Sequence, residues 1–123
     1  MNILAIDFGT KNIGLAWCET SIGAVLPYGI VKDQNLESLA KLINDERIEQ
    51  IVVGLPVSLD NKENTNTERV RRFAEELKKK ISCPLVFFDE RFSSAQADRM
   101  GGDASRDEKS AMIILEDYLQ SKK

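Results

Sequence analysis

The sequence predicts an α/β fold with a mixed five-stranded sheet flanked by helices. Three apolar runs follow one another with only short turns between them, which is typical of an antiparallel meander. The rest of the chain alternates amphipathic helical patterns with short apolar runs, as βα units with parallel strands do. The chain has 123 residues, of which 42% are hydrophobic and 30% charged. This length and composition indicate one globular domain over residues 1–123.

The meander strands are predicted over residues 2–8, 13–18 and 24–31. The first, NILAIDF, is apolar on both faces, as expected for a strand inside a sheet. Gly9 and Thr10 begin the turn into the second strand. Pro27 has no N–H to give to a neighbouring strand, so we expect the third strand either to lie at the edge of the sheet or to start late.

Two βα units complete the predicted sheet. A helix over 35–46 precedes a strand over 48–54, and a helix over 68–81, capped by Asn66 or Thr67, precedes a strand over 85–89. A final helix runs from about Ser105 to Ser121. Right-handed crossovers place the two later strands parallel to the first. Ligands of open α/β sheets bind at the carboxyl ends of such strands.

Acidic residues stand at three points that this topology brings toward one edge. Asp7 ends the first strand, where a carboxylate among apolar residues is costly unless a cation or hydrogen-bond donors meet it. Glu90 follows the last strand, where alternation puts it on the same face as Val86 and Phe88. The final helix offers Asp107 or Glu108, and helical periodicity fits either. Each acid also has an ordinary structural interpretation, as a turn cap, a solvated strand exit or a partner of the helix dipole.

The absence of histidine limits the chemistry of the chain. It excludes Ser-His-Asp triads, Cys-His pairs and most zinc sites. Converging carboxylates instead suit Mg²⁺ or Mn²⁺, which prefer oxygen ligands. Two such ions can activate water and stabilise the leaving oxygen of a phosphodiester. The sequence therefore predicts metal-dependent hydrolysis if the three acids converge.

The charge balance argues against a strongly basic nucleic-acid-binding protein. The chain contains 17 Lys and Arg and 20 Asp and Glu, which give a net charge of −3. Proteins that bind nucleic acid mainly through charge usually have a basic domain. A local basic patch remains compatible with this total. On the predicted topology, four arginines lie near the acidic positions and are candidates for phosphate contacts: Arg69, Arg91, Arg99 and Arg106.

Other features indicate a reduced, cytoplasmic protein. Cys18 and Cys83 are isolated from each other and have no CxxC spacing, so we expect free thiols. The first residues lack the basic segment of a signal peptide. No stretch approaches the roughly 18 apolar residues of a membrane span, so we expect no membrane association.

Five motifs together resemble one known family: DFGTK at 7–11 with Gly14, VGLP at 53–56, TERV at 67–70, DER at 89–91 and AMIIL at 111–115. This is the YqgF (RuvX) family, whose members are named Holliday-junction resolvases or pre-16S rRNA nucleases. The resemblance covers essentially the whole chain. It implies an RNase H-like fold, shared with the RuvC resolvases, in a cytoplasmic bacterial protein that acts in maturation of the 5′ end of 16S rRNA.

The resemblance also implies roles for individual residues. It matches Asp7, Glu90 and Asp107 to catalytic, metal-binding acids, and it favours Asp107 over Glu108. Two departures bear on nucleic-acid binding. Asn12 stands where the family usually has arginine, and the segment 100–104 is short and poor in lysine.

The leading hypothesis is a metal-dependent endonuclease that uses two Mg²⁺ or Mn²⁺ ions, with Lys11, Arg69 or Arg91 near the developing charge. Its substrate would be pre-16S rRNA, free or within the small-subunit precursor, or branched DNA if it is a Holliday-junction resolvase. A resolvase needs two active sites and hence a homodimer, whereas a monomer suffices for a processing nuclease.

Two further hypotheses belong to other classes. The acidic charge and the missing basic residues favour a non-catalytic RNA-binding factor in ribosome assembly. The DxGT element also resembles the phosphate loop of actin-like ATPases, but those proteins enclose their nucleotide between two lobes. A chain of this length forms only one.

Overall fold

The computed structural model describes residues 1–9, 11–55, 65–89 and 104–121, and it contains the predicted mixed sheet. The strands are β1 (Asn2–Phe8), β2 (Ile13–Glu19), β3 (Val25–Val31), β4 (Gln50–Leu55) and β5 (Leu85–Asp89). Their order across the sheet is β3-β2-β1-β4-β5. The first three strands are antiparallel, and β4 and β5 run parallel to β1. The predicted meander and parallel strands are confirmed.

Three α-helices accompany these strands in the described part of the chain: α1 (Leu36–Asp45), α2 (Thr65–Lys78) and α3 (Arg106–Ser121). The predicted N-caps of α2 are wrong. Asn66 and Thr67 both lie inside the helix, and Thr67 is fully buried. The helix also ends three residues earlier than predicted, where a 3-10-type backbone bond tightens its last turn.

The sheet carries a separate apolar core on each face, and β1 contributes to both. Leu4 and Ile6 pack on the face covered by α1 and α2. Ile3 and Ala5 pack on the other face, against α3. The amphipathic patterns predicted for α1 and α2 are confirmed, because their apolar residues lie at helical spacing on one face of each helix. Leu36 is half-buried and the others are buried: Leu39, Ala40, Ile43, Val70, Phe73, Ala74 and Leu77.

Alternation along β1 then assigns its last two residues to opposite faces. Asp7 follows Ile3 and Ala5 onto the α3 face, and Phe8 joins the core on the α1 and α2 face. A carboxylate therefore stands where the α3 face of the sheet reaches the carboxyl end of its central strand.

Strand β3 lies at the edge of the sheet, as Pro27 predicts, and it contains a bulge. Gly14 pairs with Ile30 and Ala16 pairs with Pro27, so two residues of β3 stand opposite Leu15 alone. One of them, Gly29, has a φ of 93°, which glycine adopts without strain.

No helix within the described ranges is both long and apolar enough to cross a membrane.

Replacing Leu77 by alanine should lower the free energy of unfolding by about 2–5 kcal/mol, because its fully buried side chain fills the core beneath α2. Urea unfolding measures the loss. Leu26→Ala, at an edge-strand residue that is 46% exposed, is the control and should change the free energy by less than about 0.5 kcal/mol. Equal losses would contradict the assignment of Leu77 to the core.

Candidate active site

Asp7 lies between two glycines at the carboxyl end of β1. Gly14 is its Cα partner on β2. On the other side Ile6 pairs with Val53 of β4, and Gly54 follows Val53 as Asp7 follows Ile6. Because neither neighbour has a side chain, α3 can approach the sheet closely beside the half-buried Asp7.

The first turn of α3 lies directly on Gly14. A Cβ built at Gly14 would come within 2.1 Å of the carbonyl oxygen of Asp107 and 2.9 Å of its Cβ. No side chain fits in that space, so glycine is required for this approach. The backbone of Asp107 is thereby held against the strand partner of Asp7.

The carboxylate of Asp107 reaches the end of β1. Its Oδ1 lies 3.9 Å from the position that a Cβ on Gly9 would take, two residues beyond Asp7. We call the place where Asp7, Gly9, Gly14 and Asp107 meet the acidic corner. The structure thus brings together two of the predicted acids, which lie 100 positions apart in the sequence.

The third predicted acid, Glu90, lies outside the described residues, as do Arg91 and Arg99. Within the residues that are described, no group of three acids or cysteines is arranged to hold a metal ion.

Glu108 bonds to different partners from those around Asp107. Its Oε1 accepts hydrogen bonds from the N–H of Ser105 at 3.1 Å and from the Ser105 hydroxyl at 2.9 Å. The Ser105 Oγ accepts from the N–H of Glu108 at 3.2 Å, which completes a capping box. The Oε2 of Glu108 accepts a hydrogen bond from the N–H of Gly29 in the β3 bulge at 2.8 Å. Periodicity left the two first-turn acids equivalent, but their contacts differ.

These bonds also set the ionisation of Glu108. Desolvation by burial would raise its pKa, but the hydrogen bonds from Ser105 and Gly29 outweigh that effect and hold the pKa below its usual value. Glu108 is therefore a charged acceptor within the fold at neutral pH.

The turn between β1 and β2 is fixed by contacts that sequence reasoning did not find. The N–H of Gly9 donates to the carbonyl of Asn12 at 3.0 Å, and the side-chain amide of Gln34 donates to the carbonyl of Gly9 at 2.5 Å. The side-chain oxygen of Asn12 accepts from the N–H of Asp33 at 3.2 Å. Asn12, interpreted from sequence only as a missing arginine, thus anchors the turn that carries the exposed Lys11.

The predicted cations do not all lie on the same side of the sheet. Arg106 is exposed at the first position of α3, beside Asp107. The Arg69 guanidinium lies 5.3 Å from the ring centroid of Phe8, which stacks on Phe73 of α2 at 4.4 Å. Arg69 therefore lies at the carboxyl end of β1, but on the face opposite to Asp107.

Comparison with known proteins gives one family and many relatives. The model of the RuvX family, described as Holliday junction resolvase, matches residues 1–121. A protein of Maridesulfovibrio salexigens is 35% identical over 132 residues, covering 97% of this chain and 98% of its own. One of Phocaeicola vulgatus is 38% identical over 136 residues, covering 98% and 96%. Both are named "Putative pre-16S rRNA nuclease".

Solved structures share the fold at low sequence identity. T. thermophilus RuvC in complex with Holliday junction substrate aligns with a TM-score of 0.63 and 12% identity, covering 93% of this chain and 90% of that one. The fowlpox virus Holliday junction resolvase aligns with a TM-score of 0.60 and 13% identity, covering 98% and 99%. The RNase H-like fold that the sequence motifs implied is confirmed.

Replacing Gly14 by alanine should displace the first turn of α3, because the new methyl group would overlap the Asp107 carbonyl. We expect a loss of about 1–3 kcal/mol in the free energy of unfolding, the usual cost of overpacking. Amide exchange over residues 106–110 should accelerate as well.

Gly23→Ala is the matched control. A Cβ at Gly23 would meet no atom within 4 Å, although its φ of 82° makes alanine strained there. It should destabilise the protein by about 1 kcal/mol and leave exchange in α3 unchanged. Unchanged α3 exchange in Gly14→Ala would contradict the close approach.

Proposed function

Because the chain belongs to the RuvX family, we propose that it is a metal-dependent endonuclease that hydrolyses phosphodiesters in 5′-end processing of the 16S rRNA precursor. The observation that carries the proposal is the meeting of Asp7 and Asp107 at the acidic corner, at the carboxyl end of the central strand. The shared name of the curated relatives supports pre-16S rRNA as the substrate.

The residues of the acidic corner fit a hard divalent cation. Asp7 and Asp107 offer only oxygen ligands, and the chain has no histidine. We infer that Asp7 and Asp107, with Glu90 as the third acid, hold Mg²⁺ or Mn²⁺, two ions in all. Such ions supply an activated water and neutralise charge on the phosphodiester.

Basic residues around the acidic corner would orient the nucleic-acid backbone. Lys11 and Arg106 are both exposed, one on the turn after β1 and one at the start of α3. Arg69 would contact the substrate where it crosses the end of β1 to the other face, and Arg91 would contact it beside Glu90. With a net charge of −3, affinity would come from these few contacts, so we expect a shallow dependence on salt.

A second candidate substrate is branched DNA, which the family's description favours. Resolution of a junction requires two active sites and hence a homodimer, whereas a monomer or weak homodimer suffices for the processing of RNA. The rRNA proposal places the protein in the cytoplasm, acting on the small-subunit precursor.

Asp7→Asn and Asp107→Asn should each lower cleavage by more than about 100-fold, because each removes a charged ligand from the site. Labelled 16S precursor RNA and a four-way DNA junction are incubated with each protein in Mg²⁺, Mn²⁺ or chelator. Asp117→Asn changes an exposed acid of the same helix and should retain full activity. Circular dichroism checks that every variant is folded.

The outcomes separate the candidates. RNA cleavage that requires metal and both acids supports the processing nuclease, and cleavage of the junction alone supports the resolvase. Bound RNA without cleavage under any condition would favour the non-catalytic assembly factor. Full activity in Asp7→Asn would contradict the assigned site.

A further inference from the structure

We propose that Glu108 is a positioning residue that holds the Asp107 carboxylate at the acidic corner by tying the first turn of α3 to the bulge of β3. The inference deepens the proposed function and rests on it, since it matters for catalysis only if Asp107 binds metal. Its evidence is the set of four hydrogen bonds that join Glu108 to Ser105 and Gly29.

The sheet side of this link is the bulge. Because two residues of β3 stand opposite Leu15 alone, the regular pairing of the strands is interrupted there. The positive φ of Gly29 turns the backbone locally, and its N–H donates to Glu108 at 2.8 Å. The bond joins residues 79 positions apart in the chain and is partly buried.

The helix side of the link is the cap. Glu108 and Ser105 exchange backbone and side-chain bonds across the first turn of α3, and Asp107 lies within that turn. First-turn N–H groups have no partner inside the helix, so a helix start without such bonds frays. Because its two carboxylate oxygens bond to different partners, Glu108 fixes both the shape of this turn and its position against the sheet.

Glutamate suits this role better than its nearest substitutes. Glutamine would keep one acceptor oxygen and direct an amide NH₂ group toward one of the two backbone N–H donors. Alanine removes both links. Ser105→Ala instead removes the hydroxyl part of the cap and leaves the bond to Gly29 intact, which separates simple capping from attachment to the sheet.

The test combines two measurements on the full chain. Titration calorimetry with Mn²⁺ measures the dissociation constant of the metal, and NMR of the metal-free protein follows the amide signals of Gly29 and Asp107. Glu108→Ala should raise the dissociation constant about tenfold or more, the range seen when a group supporting a metal ligand is removed. In Glu108→Ala, the amide hydrogen of Gly29 should exchange with solvent faster, and the amide signal of Asp107 should shift.

The controls should behave differently. Glu108→Gln should give a smaller increase of the dissociation constant. Ser105→Ala keeps the bond between Glu108 and Gly29, so it should raise the dissociation constant less than Glu108→Ala does. Glu116→Ala, at an exposed site of the same helix, should bind Mn²⁺ within about twofold of the wild type. Thermal melting records how much each variant is destabilised, and Glu108→Gln serves as the test variant if Glu108→Ala does not fold.

Each outcome decides the proposal. If Glu108→Ala and Ser105→Ala lower the melting temperature by the same amount and bind Mn²⁺ with the same dissociation constant, Glu108 is only a helix cap and the proposal is overturned. If the wild type binds no Mn²⁺, the metal site of the proposed function fails. The amide signals then still decide the positioning role, which unchanged Gly29 and Asp107 signals in Glu108→Ala would overturn.

Discussion

The close approach of α3 to β2 at Gly14 is the contact on which the candidate site depends. The carbonyl of Asp107 occupies the space that any side chain at residue 14 would need. Gly14 is also the strand partner of Asp7. A single missing side chain therefore lets a helix start reach the central strand, and it brings together two acids from the two ends of the sequence.

The close approach of α3 to the sheet leaves backbone N–H groups that need hydrogen-bond acceptors, and nearby side chains provide these acceptors. A helix start pressed against a sheet carries N–H groups that need acceptors, and an interrupted edge strand adds the N–H of the bulge. The carboxylate of Glu108 accepts from both, at Ser105 and Gly29. On the other side of the acidic corner, Asn12 and Gln34 hold the turn after β1 in the same way. The same few side chains therefore satisfy the hydrogen-bonding groups of the backbone and fix the geometry of the site.

Most of the fold could be predicted from local pattern, because strand and helix periodicities depend on neighbouring residues. The apolar runs located all five strands, Pro27 marked the edge strand, and the faces of α1 and α2 followed from helical spacing. The predicted N-caps of α2 were wrong because Thr67 belongs to the buried side of the helix, where packing outweighs its preference for a cap.

The site was only partly predictable, since it depends on contacts between distant segments. Asp7 could be singled out as a carboxylate in an apolar strand, but periodicity could not choose between Asp107 and Glu108. Their roles differ through a bond to Gly29, which lies 79 residues away. The capping-box spacing of Ser105 and Glu108 was a local signal that could have assigned Glu108 to the helix cap. No pattern in the neighbouring sequence indicates that the second carboxylate oxygen of Glu108 accepts a hydrogen bond from the β3 bulge.

In the mechanism that we propose, Asp7 and Asp107 act as one metal site. A double-mutant cycle on Mn²⁺ binding tests this coupling, with Asp7→Asn, Asp107→Asn and the double variant measured by titration calorimetry. We expect strong coupling, in which the double variant binds Mn²⁺ hardly more weakly than either single variant, because the first change already disables the shared site. Independent, additive losses, or unchanged affinity in either single variant, would contradict it.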